Sequence, residues 1–448
     1  MINLFDSYTQ SSWDLHFSLI KSGYINPTIA LNDDGFLPDD VTSPYLYYTG
    51  FAKIGAGRPL YYNELRVPDT WEIIGFSSGA DIVDLGVKKG RIIYANPNHR
   101  RLIKEVDWFD EQGRVILKDR FNKFGFCFAQ TFYNVDGQAI QTSYYNKDGQ
   151  EVISENHMTG DYILNDNNQF KVFKSKVEFV INYLQEAKFN LDRIFYNSLS
   201  TPFLVSFYLN RLESKDVLFW QEPLVDDIPG NMRLLLNNPS PNTKIPSPNT
   251  KIVIQSYEAY ANAMRLLTDE EQKQVSFLGF MYPLKETEKL HNQALILTNS
   301  DQIEALESLV TSLPNLTFNI GALTEMSSEL MNFGKYDNVV LYPNITTNQI
   351  QYLSNICAFY LDINHHNEIL SAVRSAFEHQ QLIFAFEETS HQIRFVSPKN
   401  IFPKKDIFTF ISHLQPLIGN KCNIEKALKQ QLEDCHVSSS TQYQSVIN

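Results

Sequence analysis

The chain has 448 residues, 43% of them hydrophobic and 20% charged, with a formal net charge of −13. This length exceeds one ordinary domain core, so two or three domains are expected. The negative charge and the lack of clustered Lys and Arg exclude nucleic acid as an expected partner. No apolar run reaches the roughly 18 residues of a membrane span. The four cysteines lack metal-ligand spacing, which favours reduced thiols in a cytoplasmic protein.

The first 44 residues predict a strand, a helix and a strand. Ile2–Phe5 and Thr28–Leu31 are the two strands, and the helix between them carries Trp13, Phe17 and Ile20 on one face. Gly23 stands where a helix commonly ends. We interpret this βαβ pattern as the start of a first Rossmann-like domain, built from residues 1–44 and 166–288.

Residues 45–165 have a different sequence pattern, in which aromatic and polar residues alternate between turn signals. Asp136-Gly137 and Asp148-Gly149 lie twelve residues apart, and Asp110–Gly113 lies two such steps from the first pair. Asp-Gly supplies the positive φ that primed hairpin turns need. The spacing therefore predicts an inserted antiparallel sheet with successive primed turns.

Alternation of helices and strands returns after residue 165. It predicts a second Rossmann-like domain over residues 289–435, which includes a helix from Asp301, a helix from Glu368 and a strand over Leu382–Phe386. Two adjoining copies of Pro-Ser-Pro-Asn-Thr-Lys-Ile, at Pro239–Ile245 and Pro246–Ile252, are interpreted as a duplication in a surface loop. The polar residues 436–448 predict a disordered tail. The predicted class is α/β, with two Rossmann-like domains facing a cleft and an antiparallel sheet inserted in the first.

Four segments carry a resemblance to a known family over nearly the whole chain: LFDSYTQSSWDLHFSLIKSG, PTIALNDDGFLPDDVTSPYLYY, EMSSELMNFGKYDNVVLYPNI and YLDINHHNEIL. They resemble the glycosylation-stabilising subunit of the bacterial accessory Sec O-GlcNAc transferase, whose fold is of the GT-B glycosyltransferase type. The resemblance implies a non-catalytic subunit that stabilises a catalytic O-GlcNAc transferase in a hetero-oligomer, of which a heterotetramer is one form. It also implies binding of a serine-rich repeat protein as acceptor before export by the accessory Sec system. The expected location is the cytoplasm, or the cytoplasmic side of the membrane through partners, and no cofactor is expected.

The residues of the expected donor site depart from those of active enzymes. Active retaining members of the fold are expected to carry two glutamates separated by seven residues, and our alignment places His366 and Arg374 there; a shift of two residues gives Glu368 and Ala376. Where active relatives carry cations for the diphosphate, this chain has Asp301, which repels phosphate. The sequence therefore predicts a degenerate donor site at His366, Arg374 and Asp301, and a pseudoenzyme without catalytic residues.

Polar residues at predicted strand ends are the candidates for acceptor binding, because ligands of open α/β sheets bind there. The hypothesis names Asn32, Asp33, Asn344, Asn364, His365, Asn367 and Glu388. Asp33 and Asp34 could instead cap a helix, form a turn or include a general base. No metal site is expected at His365-His366, and Gly55-Ala56-Gly57 is interpreted as a flexible turn.

Two other functions stay open from the sequence. The chain could be an active GT-B glycosyltransferase that uses UDP-GlcNAc itself, or a structural chaperone that contacts only the catalytic partner. The inserted sheet is the expected surface for pairing with that partner, because sheet edges and exposed aromatic residues associate readily.

Overall fold

The computed structural model describes residues 1–166, 169–209, 211, 214–236 and 250–448. The chain forms two compact units, one of Met1–Gly279 with Ser440–Asn448 and one of Phe280–Ser439. The first copy of the duplicated loop sequence lies outside the described residues, as do the first four residues of the second copy. Within the described ranges, no helix is both long and apolar enough to cross a membrane.

The strands are short and mostly buried. In chain order they are β1 Ile2–Ser7, β2 Thr28–Asn32, β3 Val41–Thr42, β4 Trp71–Gly75, β5 Gly79–Asp84, β6 Val87–Tyr94, β7 Ile103–Phe109, β8 Val115–Phe121, β9 Cys127–Tyr133, β10 Ala139–Tyr145, β11 Glu151–Asn156, β12 Tyr162–Asp166, β13 Gln169–Phe173, β14 Ile194–Tyr196, β15 Val217–Trp220, β16 Lys251–Ile254, β17 Val275–Phe277, β18 Leu290–Thr298, β19 Thr317–Ala322, β20 Val339–Tyr342, β21 Cys357–Asp362, β22 Leu382–Phe386 and β23 Ile401–Phe402.

The helices fill the connections of the parallel sheets. They are α1 Gln10–Lys21, α2 Pro44–Tyr48, α3 Lys176–Glu186, α4 Thr201–Tyr208, α5 Gly230–Leu236, α6 Tyr257–Leu266, α7 Asp269–Gln272, α8 Leu306–Ser312, α9 Ser328–Met331, α10 Thr347–Ile356, α11 Ala372–Glu378, α12 Ile407–Leu414, α13 Lys421–Asp434 and α14 Ser440–Ile447.

The first unit is built on a seven-stranded parallel sheet in the order β17-β16-β15-β14-β1-β2-β3. Strands β14 and β15 of this sheet are apolar along their whole length, because helices cover both faces. The order places the carboxyl ends of β14, β1 and β2 side by side. Loops from these three ends therefore meet at one edge.

The second sheet of this unit is an antiparallel meander of ten strands, from β4 to β13 in sequence order. On the side of β10–β12, Tyr144, Ile153 and Leu164 are buried in the same core as Phe179 of α3. The inserted sheet thus shares a core with the helix that follows it. The predicted α/β class, with an inserted antiparallel sheet in the first Rossmann-like unit, is confirmed.

The meander turns that follow the twelve-residue spacing are not primed turns, unlike the β5–β6 turn, where Leu85 and Gly86 both have positive φ. Asn134 accepts backbone hydrogen bonds from Asp136 and Gln138 through its Oδ1, at 3.0 and 2.9 Å, and Gly137 has φ 77°. Asp136 does not adopt positive φ, so the loop has three residues and glycine occupies the bulge position. The prediction of primed turns was wrong because the asparagine side chain, two residues before the Asp-Gly pair, organises the loop.

The second unit contains a six-stranded parallel sheet in the order β20-β19-β18-β21-β22-β23. The strand predicted at Leu382–Phe386 has the predicted bounds, but the helix predicted from Asp301 begins at Leu306 and the helix predicted near Glu368 begins at Ala372. A residue with left-handed φ precedes each helix: Ala305 at 53° and Ser371 at 52°. Side-chain periodicity does not reveal such a break, so both helices were placed too early.

The predicted disordered tail contains helix α14. Tyr443 and Ile447, one helical turn apart, are fully buried in the first unit. The Tyr443 hydroxyl donates to the carbonyl of Gly279 at 3.0 Å, and the Lys251 ammonium donates to the carbonyl of Val446 at 3.0 Å. A cation at the last carbonyls stabilises a helix. The prediction of disorder failed because two apolar residues on one face outweigh the polar composition.

Candidate functional site

Polar side chains from three strand ends form a cluster at the carboxyl edge of the first sheet. The Asp6 carboxylate, at the end of β1, accepts hydrogen bonds from Asn32 Nδ2 at 3.1 Å and from Ser200 Oγ at 2.9 Å. The Asp6 backbone N–H donates to Asn197 Oδ1 at 3.0 Å. With Lys176, these residues form what we call the carboxyl-edge cluster: Asp6, Asn32, Lys176, Asn197 and Ser200.

Lys176 reaches this cluster from the first turn of α3, directly after the inserted sheet. Its ammonium donates a hydrogen bond to Asn32 Oδ1. Burial lowers the pKa of Lys176, and the carboxylates of Glu155 and Asp6 oppose that effect. Asn32 and Ser200 are exposed, and their side-chain N–H and O–H groups donate to Asp6 and Ser7, so the cluster offers side-chain oxygens as hydrogen-bond acceptors at the surface.

Of the two acceptor candidates in the first unit, only Asn32 belongs to the cluster. Asp33 is 7% exposed, and its carboxylate accepts from the backbone N–H of Gly35 at 2.8 Å and from Ser43 Oγ at 2.6 Å. Burial raises the pKa of Asp33 to about 6. Ser43 in turn caps α2. Asp33 therefore holds the loop against α2, which agrees with the capping and turn alternative rather than with ligand binding.

At the carboxyl edge of the second sheet, the main feature is an ion pair that joins the ends of β21 and β22. His391 Nδ1 donates to Asp362 Oδ1 at 2.6 Å, and the His391 backbone N–H donates to Oδ2 at 2.8 Å. The other ring nitrogen donates to the carbonyl of His366 at 2.6 Å. The hydrogen bond to the fully buried Asp362 raises the pKa of His391 to about 9. Both ring nitrogens thus act as donors.

The other polar groups of the loop after β21 also pair within the unit. His365 Nε2 lies 2.8 Å from Glu304 Oε2, and the Asn364 amide donates to the His365 carbonyl. The Glu368 carboxylate accepts from the backbone N–H of Val373 at 2.8 Å, in the first turn of α11, and from Gln392 Nε2 at 2.6 Å. The amide that a helix start could offer to a phosphate is therefore occupied by a carboxylate of the same loop.

The three residues predicted as a degenerate donor site do not form one charged site. Arg374 is buried on α11, where it donates to Glu378 at 2.7 Å and lies over the rings of Tyr282 and Phe395. His366 is exposed with φ 68°, and Asp301 lies exposed in the loop before α8. Arg374 thus stabilises the core of its unit.

The remaining acceptor candidates are spread along the edge of the second sheet. Asn364, His365 and Asn367 lie in one loop, and Glu388 follows the adjacent strand, where it accepts from the backbone N–H of Lys404 at 2.9 Å. Asn344 follows β20, which two strands separate from β21. At about 4.8 Å per strand, that is roughly 14 Å from the Asn364 loop. These residues do not make a compact site.

Sequence reasoning missed the residues that organise both edges: Asp6, Lys176 and Ser200 in the first unit, and Asp362 and His391 in the second. Asp6 and Asp362 are the last or nearly the last residues of their strands. The strand-end rule could have found both. Lys176 carries no such signal, because it lies 144 residues from Asn32 in sequence.

Comparison with known proteins places this architecture in one family. Family models match residues 2–48 (GtfB N-terminal domain), 71–174 (GtfB middle domain), 176–266 (GtfB third domain) and 294–431 (GftB/GlyA-F C-terminal domain). The UDP-N-acetylglucosamine–peptide N-acetylglucosaminyltransferase stabilizing protein GtfB of Streptococcus gordonii is 43% identical over 432 residues, which cover 96% of this chain and 94% of that protein. The protein of the same name from Streptococcus pneumoniae serotype 4 is 41% identical over 448 residues, which cover 100% and 99%.

Solved structures agree with the sequence matches. A chain in the crystal structure of the GtfA/B complex bound to UDP and GlcNAc superposes with a TM-score of 0.92 at 43% identity, over 99% of this chain and 98% of that one. The glycosyltransferase TarM of S. aureus, with a TM-score of 0.51 at 11% identity over 100% and 99%, shares the fold alone. On these matches across nearly its whole length, the chain belongs to the GtfB family of transferase-stabilising proteins.

Proposed function

We propose that this chain is a non-catalytic subunit of a protein O-GlcNAc transferase complex. In this role it stabilises a catalytic transferase and holds the serine-rich acceptor polypeptide, which the accessory Sec system later exports from the cytoplasm. The stabilising role is supported by the family, whose members are named as stabilizing proteins, and by the similarity to a chain of the GtfA/B complex. The lack of donor binding is argued from the carboxyl edge of the second sheet, and acceptor binding is argued from the carboxyl edge of the first sheet.

The observation that carries the non-catalytic assignment is the internal pairing at the carboxyl edge of the second sheet. Asp362 is neutralised by His391, Glu304 lies 2.8 Å from a ring nitrogen of His365, and Glu368 occupies an amide of α11. A nucleotide diphosphate needs cations or free amide donors at such an edge. Binding one here would require breaking hydrogen bonds that already satisfy these groups, so we expect neither UDP-GlcNAc binding nor transfer.

The carboxyl-edge cluster supports acceptor binding in the first unit. A serine-rich polypeptide is neutral and offers backbone amides, backbone carbonyls and hydroxyl groups. Asn32 and Ser200 donate their side-chain hydrogens within the unit and present the remaining lone pairs of their side-chain oxygens at the surface, while Asp6 and Lys176 hold them in place. This arrangement suits hydrogen bonding to a neutral extended chain better than binding of a charged small molecule.

Lys176→Met tests the acceptor assignment. We expect its affinity for an unmodified serine-rich peptide to fall about tenfold, because Asn32 loses the charged donor that orients it, an interaction of roughly 1.5 kcal/mol. Titration calorimetry of the purified chain measures the effect. Lys174→Met is the matched control, since the Lys174 side chain is 72% exposed and pairs with Asp161 outside the cluster.

The same titrations separate the other two functions. UDP-GlcNAc binding with sugar release would make the chain a transferase and would refute the non-catalytic assignment. A parent chain that binds no peptide, yet stabilises the catalytic partner, would be a structural chaperone only. Peptide binding without nucleotide binding is the result that the proposal expects.

A further inference from the structure

A cavity of the first unit lies away from the carboxyl-edge cluster, against the outer edge of its parallel sheet. It has a volume of about 680 Å³. Its walls are strand β3, the loop around Gly55–Gly57 and the Phe124 turn between β8 and β9. Strand β3 ends the sheet, and no strand of the described residues pairs with its outer edge. The N–H of Val41 on β3 already donates to the carbonyl of Pro38 at 3.1 Å, so backbone donors for an added extended chain have to come from the facing loop.

The loop that faces this edge packs against the Phe124 turn at Gly57. A Cβ on Gly57 would lie 2.9 Å from the carbonyl oxygen of Phe124, so only glycine allows this approach of loop and turn. Gly55-Ala56-Gly57, predicted from the sequence as a flexible turn, thus lines the cavity with Gly57 close to the Phe124 turn. Among the described residues, these three donate no backbone hydrogen bond to protein, which leaves their N–H groups available to a ligand.

The polar groups at the rim define which ligand fits. Lys123 is engaged by Asp39 and by the carbonyl of Leu37, at 2.5 and 2.7 Å. Asp40 is exposed and has no hydrogen bond or ion pair within the described part of the chain. The rim therefore carries one uncompensated negative charge, which disfavours acidic ligands and anions such as phosphate. A neutral extended polypeptide remains the class of ligand that fits this rim.

Strand β2 connects this cavity with the carboxyl-edge cluster. Thr28, its first residue, lines the cavity, and Asn32, its last residue, belongs to the cluster. Four steps at about 3.3 Å separate them by roughly 13 Å, the span of about four extended residues. One polypeptide of about twelve residues can therefore reach both.

We propose that the groove between β3 and Gly55–Gly57 is a second binding site for the acceptor polypeptide, which lies there as an extended segment against the N–H groups of Gly55–Gly57. The inference rests on the proposed acceptor-binding function and extends it: a serine at the carboxyl-edge cluster is held together with chain several residues away. Such a second contact makes binding depend on peptide length, because the two contacts act on one ligand.

Filling the groove tests the proposal. Ala56 is exposed and lines the cavity, so Ala56→Trp adds bulk without disturbing the core. We expect it to weaken binding of an unmodified twelve-residue serine-rich peptide about tenfold and to leave binding of a six-residue peptide unchanged. Lys53→Trp adds the same side chain to a neighbouring exposed position that does not line the cavity, and it should bind both peptides as the parent does.

Three results would overturn the proposal in distinguishable ways. If Ala56→Trp binds the twelve-residue peptide as the parent does, the groove is excluded as a binding site, but the carboxyl-edge cluster can still be the acceptor site. A parent chain that binds neither peptide would refute the acceptor function as well. Loss of the catalytic partner, with peptide binding intact, would assign the groove to that partner. Unchanged thermal unfolding of both variants verifies that they are folded.

Discussion

The double variant Phe170→Asp, Val172→Asp is expected to lose its complex with the catalytic transferase subunit. Both side chains belong to β13, the last strand of the ten-stranded meander, and they are 69% and 56% exposed. Ile163 pairs with Val172 across the β12–β13 register, so the three residues share one face next to a free edge. An exposed apolar row at a sheet edge associates with other chains unless something covers it.

We propose that the catalytic partner covers this apolar row, because the family consists of proteins named for stabilising a transferase. Two buried carboxylates at the centre of an interface should weaken binding by at least about 100-fold, since central apolar residues carry most of the binding energy. Co-purification and light scattering of the mixed subunits measure the loss. The stability of the catalytic subunit should fall in parallel.

Leu85→Asp with Val87→Asp is the matched control for this experiment. These residues lie at the β5–β6 turn of the same sheet, are 93% and 52% exposed and receive the same charges. We expect this variant to assemble as the parent does. If both variants assemble, the partner binds elsewhere; if only the control fails, the interface lies at the β5–β6 turn.

The meander was predictable from the sequence because its turns recur in a fixed frame. Asp110, Asn122, Asn134 and Asn146 are spaced by twelve residues, and each precedes a glycine by three positions. The prediction used Asp-Gly pairs and so missed Asn122–Gly125, whose Asn122 Oδ1 accepts from the backbone N–H groups of Phe124 and Phe126. The informative unit is Asx-x-x-Gly, in which the side chain organises the loop and glycine fills the bulge.

The candidate sites were less predictable than the strands. Strand ends could be located from apolar runs such as Leu382–Phe386, and Asn32 was found in this way. Whether a polar side chain at a strand end is free or engaged depends on partners distant in sequence: Asp33 on Ser43, Asp362 on His391, Asn32 on Lys176. Sequence position alone therefore assigned Asp33 to a ligand although its carboxylate is enclosed.

The ion pair of Asp362 and His391 links the proposed absence of donor binding to stability. The pair occupies polar groups at the edge of the sheet where a sugar nucleotide would be expected to bind. It requires a charged His391, and the charge of His391 depends on pH. The folded pKa of His391, about 9, lies above its ordinary value of 6.5. Its stabilising contribution is therefore complete below pH 6.5 and is lost as the pH rises through 9.

The stability of the second unit is expected to fall between pH 6.5 and 9 by about 3 kcal/mol through His391 alone, because each unit of pKa corresponds to about 1.4 kcal/mol. His391→Gln should be less stable at pH 6.5 and should lack most of this decline. His413→Gln, at an exposed histidine of the same unit, is the control and should decline as the parent does. Calorimetric unfolding at several pH values measures the difference.

An NMR titration of the His391 ring provides an independent test. A midpoint near 9 would agree with a histidine held charged by Asp362, and the edge would then stay closed at every pH at which the cell operates. A midpoint at 6.5 would mean that the pair is open in solution. Asp362 would then be a free carboxylate at the end of β21, and the argument against nucleotide binding at this edge would lose its main observation, although the hydrogen bonds of Glu304 and Glu368 would remain.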